Sequence, residues 1–425
     1  MIIVLSLILF VLIAAKIFGE IAERLNQPSL IGEIIAGIIF GPTLLFLAAH
    51  FNLPVLSTIP TALIGSEFLK IMADFGIFFL MIIAGMELGL SDVMRRWNSS
   101  LLTAIGGVLL PFTLGYFIGT FFQMSFLESI FLGVALSITA IAVSVRTLMG
   151  IKRLKTEEGT TILGAAVIDD IIGLIMLTLL IGIAQHKSLS LMYIPIIALK
   201  LAGFFIFVLV FYRFVIPSVL NLSQKMRTTE SLLSFSIIIA ITFAVVSELV
   251  GLHFIIGAFF AGLVIRKALL TIEVRAEVNN KLTALALGFF TPIFFVSLGL
   301  AMDFSFFKGA FLLTLIIISA AFFGKIFGSF TGAFSSGLNI KKSLRVGIGM
   351  NARGAVELIV ISVGRELGIV STELFSIIVA MALVTTILTP ILLKSSFGGD
   401  GNQGFLAPVK TLQSKFSKGE KNAYI

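Results

Sequence analysis

The sequence predicts an all-α polytopic membrane protein with thirteen transmembrane helices. Of its 425 residues, 58% are hydrophobic and only 12% are charged, and the mean hydropathy is +1.13. An ordinary soluble protein carries about 25% charged residues and about 45–50% apolar residues. The composition therefore excludes a soluble enzyme, a disordered chain and a fibrous repeat. Because the sequence contains no cysteine, it also excludes disulfides and thiolate metal sites.

Thirteen apolar stretches separated by polar breaks are each close to the length that spans a bilayer, about 20 residues. The first stretch has no basic region before it and no small-residue cleavage pattern after it, so we interpret it as a retained helix and not a signal peptide. The least distinct break is at Gly251. In chain order, predicted helices 1 to 13 are 2–18, 29–49, 68–90, 100–122, 127–149, 159–184, 189–216, 231–249, 252–270, 283–302, 308–334, 344–365 and 370–394.

Basic residues are concentrated in alternate loops, beginning after predicted helix 1. Because Lys and Arg are enriched in cytoplasmic loops, this predicts an external N-terminus and a cytoplasmic C-terminus, with a short polar tail at 395–425. The same loops account for the net charge of +8 without nucleic acid. The external loops carry only Lys187, Lys308 and Arg365, whereas the cytoplasmic loops carry Arg24, Arg95, Arg96, Arg146, Lys152, Arg153, Lys155, Arg213, Lys225, Arg227, Arg266, Lys267, Arg275, Lys281, Lys341, Lys342 and Arg345.

An odd number of helices permits two six-helix halves of opposite topology on either side of predicted helix 7. Inverted repeats of this kind are common in secondary transporters. The two halves share no visible sequence identity, so the repeat is predicted from the architecture alone.

Several ionisable residues fall at membrane depth, where each costs at least about 2.5–3.5 kcal/mol and needs a partner or water. Four other charged residues lie near predicted helix ends, where long side chains reach the interface. The end residues are Lys16, Glu33, Lys70 and Asp74, and the deep residues are Glu87, Asp169, Asp170, Lys200, Glu248, Lys325, Arg353 and Glu357.

The adjacent pair Asp169 and Asp170 lies midway along predicted helix 6. Adjacent helical residues point about 100° apart, so the two carboxylates face different neighbours. One can face an ion cavity while the other pairs with a cation. Alternatively, both are structural partners of basic residues.

Lys325 lies deep in predicted helix 11, where Gly324 and Gly328 allow close helix approach. A buried lysine beside a carboxylate can act as a proton carrier when that carboxylate binds another cation. The alternative is a permanent structural cation.

Predicted helices 5 and 12 carry sequences that favour an interruption. The segment 347–357 contains three glycines and an asparagine, which are poor helix formers. Broken helices expose carbonyls and dipole ends that coordinate ions. The hydroxyls of Ser137, Thr139 and Ser144 could line a cation site, or could bond to their own helix. Arg353 and Glu357 are four residues apart and could pair with each other.

Other chemistries have little support. Glu248 and His253 fall at the turn between predicted helices 8 and 9, where we expect a structural role near the outer surface. Three scattered histidines without cysteine do not indicate a transition-metal site. The sequence has no phosphate-binding loop of the Walker type, so we expect neither nucleotide nor cofactor, and no enzyme activity.

These segments together resemble the sodium/proton antiporters of the cation:proton antiporter family 2, the NapA/NhaA-like and Kef-like group. The resemblance covers the whole membrane region, with many motifs in the same order. They are Asn26-Gln27-Pro28, Gly32-Glu33-Ile34-Ile35-Ala36-Gly37, Gly41-Pro42, Ala84-Gly85-Met86-Glu87-Leu88, predicted helix 6, the segment 251–259, Thr291-Pro292-Ile293-Phe294-Phe295-Val296-Ser297-Leu298-Gly299 and the segment 349–357.

The resemblance implies an NhaA-like fold in which helices 5 and 12 are discontinuous and cross each other. It implies a membrane transporter unit over 1–394: helices 1–3 and 8–10 form a dimerisation part, helices 4–6 and 11–13 form the ion-transporting core, and helix 7 links them. It also implies a homodimer surrounded by lipid in the cell inner (plasma) membrane.

By the same resemblance, Asp170 is the carboxylate that binds Na⁺, and Asp169 is the partner of Lys325. An Asp–Asp pair is typical of electrogenic relatives, whereas electroneutral relatives usually have Asn first. Some relatives have an aspartate after the helix 5 threonine, but this chain has Ala140. Glu357, with Arg353, could instead provide electrostatic support where the broken helices cross.

The resemblance therefore implies exchange of Na⁺ (or Li⁺) for H⁺ by alternating access, with cation and protons competing for the aspartate pair. K⁺/H⁺ exchange or Kef-like K⁺ efflux is the nearest alternative. An ion-coupled organic anion symporter is a further alternative, although it would need an additional polar cavity.

Overall fold

Every regular element of the computed structural model is helical in the part of the chain that it describes. The described residues are 2–25, 27–51, 53–87, 96–139, 141–185, 193–218, 226, 230–250, 252–269, 272–303 and 310–398. Asn26, Ala140, Gly251 and the tail beyond 398, which the sequence analysis singled out, lie outside these residues.

The described residues of the N-terminal half form the ten α-helices named here. They are α1 (Ile2–Arg24), α2 (Ser29–Ile38), α3 (Leu44–His50), α4 (Thr58–Ile64), α5 (Glu67–Glu87), α6 (Trp97–Phe121), α7 (Phe126–Ser137), α8 (Ile141–Gly150), α9 (Glu157–Gln185) and α10 (Tyr193–Val210). A π-helical turn at Ile39–Thr43, which contains Pro42, joins α2 to α3, and a second one at Phe211–Val215 extends α10. A short 3₁₀ helix at Pro54–Ser57 precedes α4.

Eight more α-helices lie among the described residues of the C-terminal half. They are α11 (Ser231–Val250), α12 (Phe254–Ala268), α13 (Ile272–Leu285), α14 (Thr291–Leu300), α15 (Phe311–Ser335), α16 (Ile340–Gly349), α17 (Ala355–Glu366) and α18 (Thr372–Phe397). A π-helical turn at Ala286–Phe290 joins α13 to α14.

Nine helices in the described part of the chain are long and apolar enough to cross a membrane. Counted this way, α2 with α3 and α13 with α14 each form one span. The chain is therefore an all-helical, multi-pass membrane protein. The prediction of thirteen spans exceeds this number because predicted helices 5 and 12 are each divided into two short helices and α12 has only 15 residues. In predicted helix 7, Ala202–Ser218 counts only as a shorter apolar helix.

Three details of the sequence prediction are wrong. Glu33 is only 6% exposed and not at a free helix end, because Ile31 to Gly37 pack inside the fold. Glu87 is the exposed last residue of α5 rather than a buried mid-membrane charge. Predicted helix 10 starts at Ile272, eleven residues earlier than expected, because the polar α13 continues into the apolar α14.

The helices pack into two bundles. The first bundle consists of α1, α2, α5, α11, α12, α13 and α14, and the second bundle consists of α6, α7, α8, α9, α15, α16, α17 and α18. Helix α10 packs against α9 of the second bundle and α11 of the first. The carboxylate pair and Lys325 both belong to the second bundle.

Ion pairs at one end of the second bundle hold α9 in place. Glu158 at the start of α9 accepts a hydrogen bond of 3.1 Å from Arg345 of α16. Arg345 also stacks on the ring of Phe397 in α18, with its guanidinium carbon 4.3 Å from the ring centroid. Glu157 pairs with Arg96 and Lys342. These contacts fix the position of the helix that carries Asp169 and Asp170.

Glycines bring the backbones of α6 and α15 into direct contact. A Cβ atom added at Gly328 would lie 2.3 Å from the carbonyl oxygen of Gly106, and one added at Gly106 would lie 2.2 Å from that of Gly328. Such distances are shorter than any van der Waals contact, so larger residues would push the helices apart. This crossing sets the depth at which Lys325 meets α9.

We expect Gly328→Ala to destabilise the protein by about 1–3 kcal/mol because the added methyl group overpacks the α6–α15 contact. Gly203→Ala is the matched control, since no atom lies within 4 Å of a Cβ added there. Thermal unfolding in detergent measures the stability of both variants against that of the wild type. Equal melting temperatures for Gly328→Ala and wild type would contradict the proposed role of this crossing.

Candidate functional site

The two interrupted segments meet in the centre of the second bundle. One interruption follows α7 at Ile138, and the other, residues 350–354, separates α16 from α17. Thr139 donates a hydrogen bond of 3.1 Å from Oγ1 to the carbonyl oxygen of Met350. Ser144 donates to the carbonyl oxygen of Gly349. Hydroxyls from one interruption thus satisfy the carbonyls at the end of the other helix.

The carbonyl groups at the end of α7 are satisfied by two buried cations. Arg353 donates from Nη1 to the carbonyl oxygens of Ala135 and Ile138, at 3.0 and 2.5 Å, and from Nη2 to that of Leu136. Lys325 donates to the carbonyl oxygen of Ser137. A helix C-terminus has unpaired carbonyls and partial negative charge. Arg353 and Lys325, both 0% exposed, provide the charge and the donors that this helix end requires.

Lys325 also pairs with Asp169. The Nζ atom lies 3.0 Å from Oδ1 of Asp169, and neither side chain is exposed. The other carboxylate oxygen of Asp169 has no hydrogen-bond partner. Lys325 therefore joins three helices: α15 carries it, α9 contributes the carboxylate, and α7 contributes the carbonyl.

Asp170 lies beside this pair without a basic partner in the described part of the chain. It is 6% exposed, and its buried Oδ1 atom accepts no hydrogen bond. A buried carboxylate without a partner is expensive when ionised. The residue can therefore bind either a proton or a cation at this position.

The other predicted ligands surround the interruptions. Ser137 donates through its hydroxyl to the carbonyl oxygen of Val134 at 2.8 Å, as a serine bonded to its own helix does. Its oxygen, like that of Thr139, keeps lone pairs that can accept. No cluster of three or more His, Cys, Asp or Glu side chains suited to a metal ion occurs among the described residues. A cation here would therefore take further ligands from hydroxyls, carbonyls or water.

Glu357 is buried close to Arg353 but is not hydrogen-bonded to it. The shortest distance, from Arg353 Nε to Glu357 Oε2, is 3.8 Å. Both carboxylate oxygens of Glu357 and the Nε atom of Arg353 lack hydrogen-bond partners. The two residues compensate each other electrostatically at a distance, since the guanidinium donors are directed at α7 instead.

Sequence reasoning missed several residues that position the site. Thr386 of α18 donates to the carbonyl oxygen of Arg353 at 2.8 Å, and Asn351 donates from Nδ2 to Thr389 at 3.3 Å. Gly107 of α6 leaves room for Ser329 of α15, one turn after Lys325, because a Cβ added at Gly107 would lie 2.4 Å from the Ser329 Oγ atom. Pairs of small and hydroxyl residues at helical spacing were the available signal, but that pattern does not identify a partner.

Comparisons with known proteins find relatives along most of the chain. The sequence profile of the family described as "Sodium/hydrogen exchanger, transmembrane" matches residues 7–395. The chain is 34% identical to the Na(+)/H(+)-K(+) antiporter GerN of Bacillus cereus, over 92% of the chain and 95% of that protein. It is 31% identical to a Na(+)/H(+) antiporter of Enterococcus hirae, over 92% of the chain and 97% of that protein.

The fold is also similar to a solved structure, the sodium proton antiporter MjNhaP1 of Methanocaldococcus jannaschii. The TM-score is 0.73 at 16% sequence identity, and the match covers 94% of this chain and 97% of the other.

We expect Lys325→Ala to lower stability by about 3–5 kcal/mol if the site is dry, because it leaves Asp169 buried without its partner. Thermal unfolding in detergent provides the measurement. Removing both charges in Asp169→Ala/Lys325→Ala should cost less than Lys325→Ala alone. If Lys325→Ala unfolds at the wild-type temperature, the pair does not stabilise the fold.

The site contains a buried carboxylate pair and a lysine beside two interrupted helices. The family profile matches the chain that carries this site over residues 7–395. The earlier resemblance to sodium/proton antiporters is confirmed, and the chain belongs to the sodium/hydrogen exchanger family.

Proposed function

We propose that the protein exchanges Na⁺ (or Li⁺) for H⁺ across a prokaryotic plasma membrane by alternating access. The observation that carries this proposal is the unpartnered Asp170 carboxylate next to the buried Asp169–Lys325 pair. Family membership and the names of the relatives, which are Na⁺/H⁺ antiporters, support the choice of ions.

In this proposal Asp170 is the main ligand of the cation. The free oxygen of Asp169 and the hydroxyl oxygens of Thr139 and Ser137 are the additional ligands in this proposal. When Na⁺ enters, it attracts both carboxylates and weakens the Asp169–Lys325 pair. When Na⁺ leaves, proton uptake restores the pair, so cation and protons compete for one set of groups.

We propose that transport is electrogenic, and the reason is a charge count. With Na⁺ bound, both aspartates are ionised and Lys325 has lost its partner, so it can release a proton. On return, one proton binds an aspartate and another binds Lys325. One net charge then moves per cycle, which is worth about 2.3 kcal/mol per 100 mV. The three groups titrate as a coupled set.

Lys325 keeps a hydrogen-bond acceptor when Asp169 changes partner in this cycle, because it also donates to the carbonyl oxygen of Ser137. Arg353 stays on the neighbouring carbonyls throughout, so the end of α7 keeps one permanent cation. Glu357 offsets part of that charge. We therefore propose that Arg353 and Glu357 stabilise the crossing electrostatically throughout the cycle, whereas Lys325 changes its partner and its charge.

The finer architecture is also a proposal. We infer thirteen transmembrane helices in two inverted repeats, with α7–α8 and α16–α17 as the crossed, discontinuous helices 5 and 12 of an NhaA-like fold. The packing supports the first bundle as the dimerisation part, the second as the moving core, and α10 as the linker. We further propose a homodimer, with the N-terminus outside and the C-terminus in the cytoplasm.

K⁺/H⁺ exchange is the second candidate. The observation in its favour is that one relative is named a Na(+)/H(+)-K(+) antiporter. A loose ligand set of hydroxyls and carbonyls around Asp170 could accept either ion. The organic anion symporter has no comparable support.

We expect Asp170→Asn to abolish cation-driven proton movement because the cation loses its principal charged ligand. The assay presents Na⁺, Li⁺ or K⁺ to proteoliposomes with an imposed pH gradient and follows internal pH. Asp169→Asn is the comparison variant, and it should retain exchange because Asp170 remains. Normal exchange by Asp170→Asn would contradict the assignment of the cation site.

A further inference from the structure

Three buried hydroxyl groups without hydrogen-bond partners lie on α6 and α15, the helix pair whose contact positions Lys325. They belong to Ser100 and Thr103 of α6 and Ser329 of α15, and all three residues are 0% exposed. In the described part of the chain, only one other buried serine or threonine hydroxyl lacks a partner, that of Thr291 in the first bundle. The unpartnered hydroxyls are therefore concentrated on the helix pair that contains Lys325.

Buried threonines of the same bundle show how a helix ordinarily satisfies such a group. Thr314 of α15 donates to the carbonyl oxygen of Ala310 at 2.9 Å, and Thr385 of α18 donates to that of Met381 at 2.9 Å. A buried hydroxyl without any partner costs about 1–3 kcal/mol. Buried water molecules ordinarily bond to polar groups that the protein leaves unsatisfied. The hydroxyls on α6 and α15 therefore have the chemistry of a water-binding site.

The packing of α6 against α15 places Ser329 between Thr103 and Lys325. A Cβ atom added at Gly332 of α15 would lie 2.8 Å from the Cα atom of Thr103. Further along α6, a Cβ atom added at Gly107 would contact both the Ser329 hydroxyl and, at 3.7 Å, the Cε atom of Lys325. The two helices are thus antiparallel, and the hydroxyls lead toward the lysine.

The spacing of these groups suits bridging by water. Ser100 and Thr103 are about 4.5 Å apart along the axis of α6, and Lys325 and Ser329 are about 6 Å apart along that of α15. A water molecule that bridges two groups spans about 5–6 Å, since each hydrogen bond is about 2.8 Å long. A hydroxyl both donates and accepts, so it can pass a proton from one water molecule to the next.

The row of hydroxyls begins near the surface of the bundle. The backbone N–H of Ser100 donates to the carbonyl oxygen of Arg96 at 2.9 Å, one turn earlier. Arg96 pairs with Glu157, whose side chain is 31% exposed. The distribution of basic loops predicts that this surface is cytoplasmic. A proton that reaches Ser100 is therefore close to cytoplasmic water.

The same helix contact excludes a cation from this route. The backbones of α6 and α15 touch at Gly106 and Gly328, and again at Leu102 and Gly332. A cation needs an open passage lined by ligands or water. A proton needs only a series of hydrogen bonds, because each donor passes on a different proton from the one it receives.

We propose that Ser100, Thr103 and Ser329 bind a chain of water molecules that carries the Lys325 proton to the cytoplasm. This proton path is separate from the cation's route to Asp170. The inference rests on the proposed exchange function and adds the exit of one of its protons.

The path works in the cytoplasm-facing state, after Na⁺ has separated Asp169 from Lys325. The ammonium group then gives one proton to the nearest water molecule and becomes a neutral amine. Each water molecule or hydroxyl passes a proton onward, and the last one releases a proton to the cytoplasm. Outward movement of the bundle draws Ser100 into the membrane, so the protons of the return step enter from outside.

Thr103→Val and Ser329→Ala each remove one hydroxyl and little volume. Each should lower kcat for Na⁺/H⁺ exchange in proteoliposomes about a hundredfold, as loss of a positioned proton-transfer group does. The KM for Na⁺ should not change. Thr103→Ser, which keeps the hydroxyl, should exchange like wild type. Ser236→Ala is the matched control and should also match wild type, because buried Ser236 of α11 donates to its own helix at 2.7 Å.

Two further measurements separate a proton path from a structural role. Na⁺ should raise the melting temperature of both hydroxyl variants as much as that of wild type, because the path affects the rate of exchange and not cation binding. Thr103→Val/Ser329→Ala should be no slower than the slower single variant, because both changes interrupt one path.

Wild-type kcat in both single variants, or a further fall in the double variant, would overturn the proton path while leaving the exchange function intact. Loss of the Na⁺-dependent rise in melting temperature would also overturn it, since the hydroxyls would then shape the cation site. If the wild-type protein moves no protons in response to Na⁺, the exchange function itself is wrong.

Discussion

The hydrogen bonds at the end of α7 are the interaction on which the rest of the structure depends. A helix that ends inside a membrane cannot leave its last carbonyls to water, and it carries negative partial charge there. Arg353 satisfies three of these carbonyls and Lys325 a fourth. Lys325 also donates a hydrogen bond to a carboxylate, that of Asp169, whereas Arg353 lies 3.8 Å from the Glu357 carboxylate without a hydrogen bond to it. One cation therefore stabilises the interrupted helix permanently, while the other is shared between the helix and the proposed ion site.

This sharing places strict demands on the second bundle. Lys325 must stay within 3 Å of α9 and in contact with α7, so α6, α9 and α15 must keep a constant arrangement. Backbone contact between Gly106 and Gly328 holds α6 against α15. The ion pair of Arg345 with Glu158 holds α16 against α9. In the proposed exchange cycle, a bundle held in this way moves as a unit against the first bundle.

Much of the helical content was predictable, because twenty-residue apolar stretches and alternate basic loops are strong signals. Asp169, Asp170 and Lys325 stood out because charge at membrane depth is rare. The direction in which each buried side chain points was not predictable from the sequence. Arg353 and Glu357 have helical pairing distance in sequence, yet the guanidinium donors bond to α7, a segment more than 200 residues away. Glu33 was placed at a helix end because the packing of α2 against α1 and α14 leaves no mark in the composition.

The dependence of exchange on membrane voltage tests the central claim, that Lys325 gives up and regains a proton as Asp169 changes partner. The measurement uses proteoliposomes without a pH gradient and with a tenfold Na⁺ gradient, and finds the voltage at which net exchange reverses. Exchange of two protons for one Na⁺ should reverse at about 59 mV, and Asp169→Asn should shift exchange toward voltage independence. A wild-type protein whose exchange does not respond to voltage exchanges one for one, and Lys325 is then a purely structural cation.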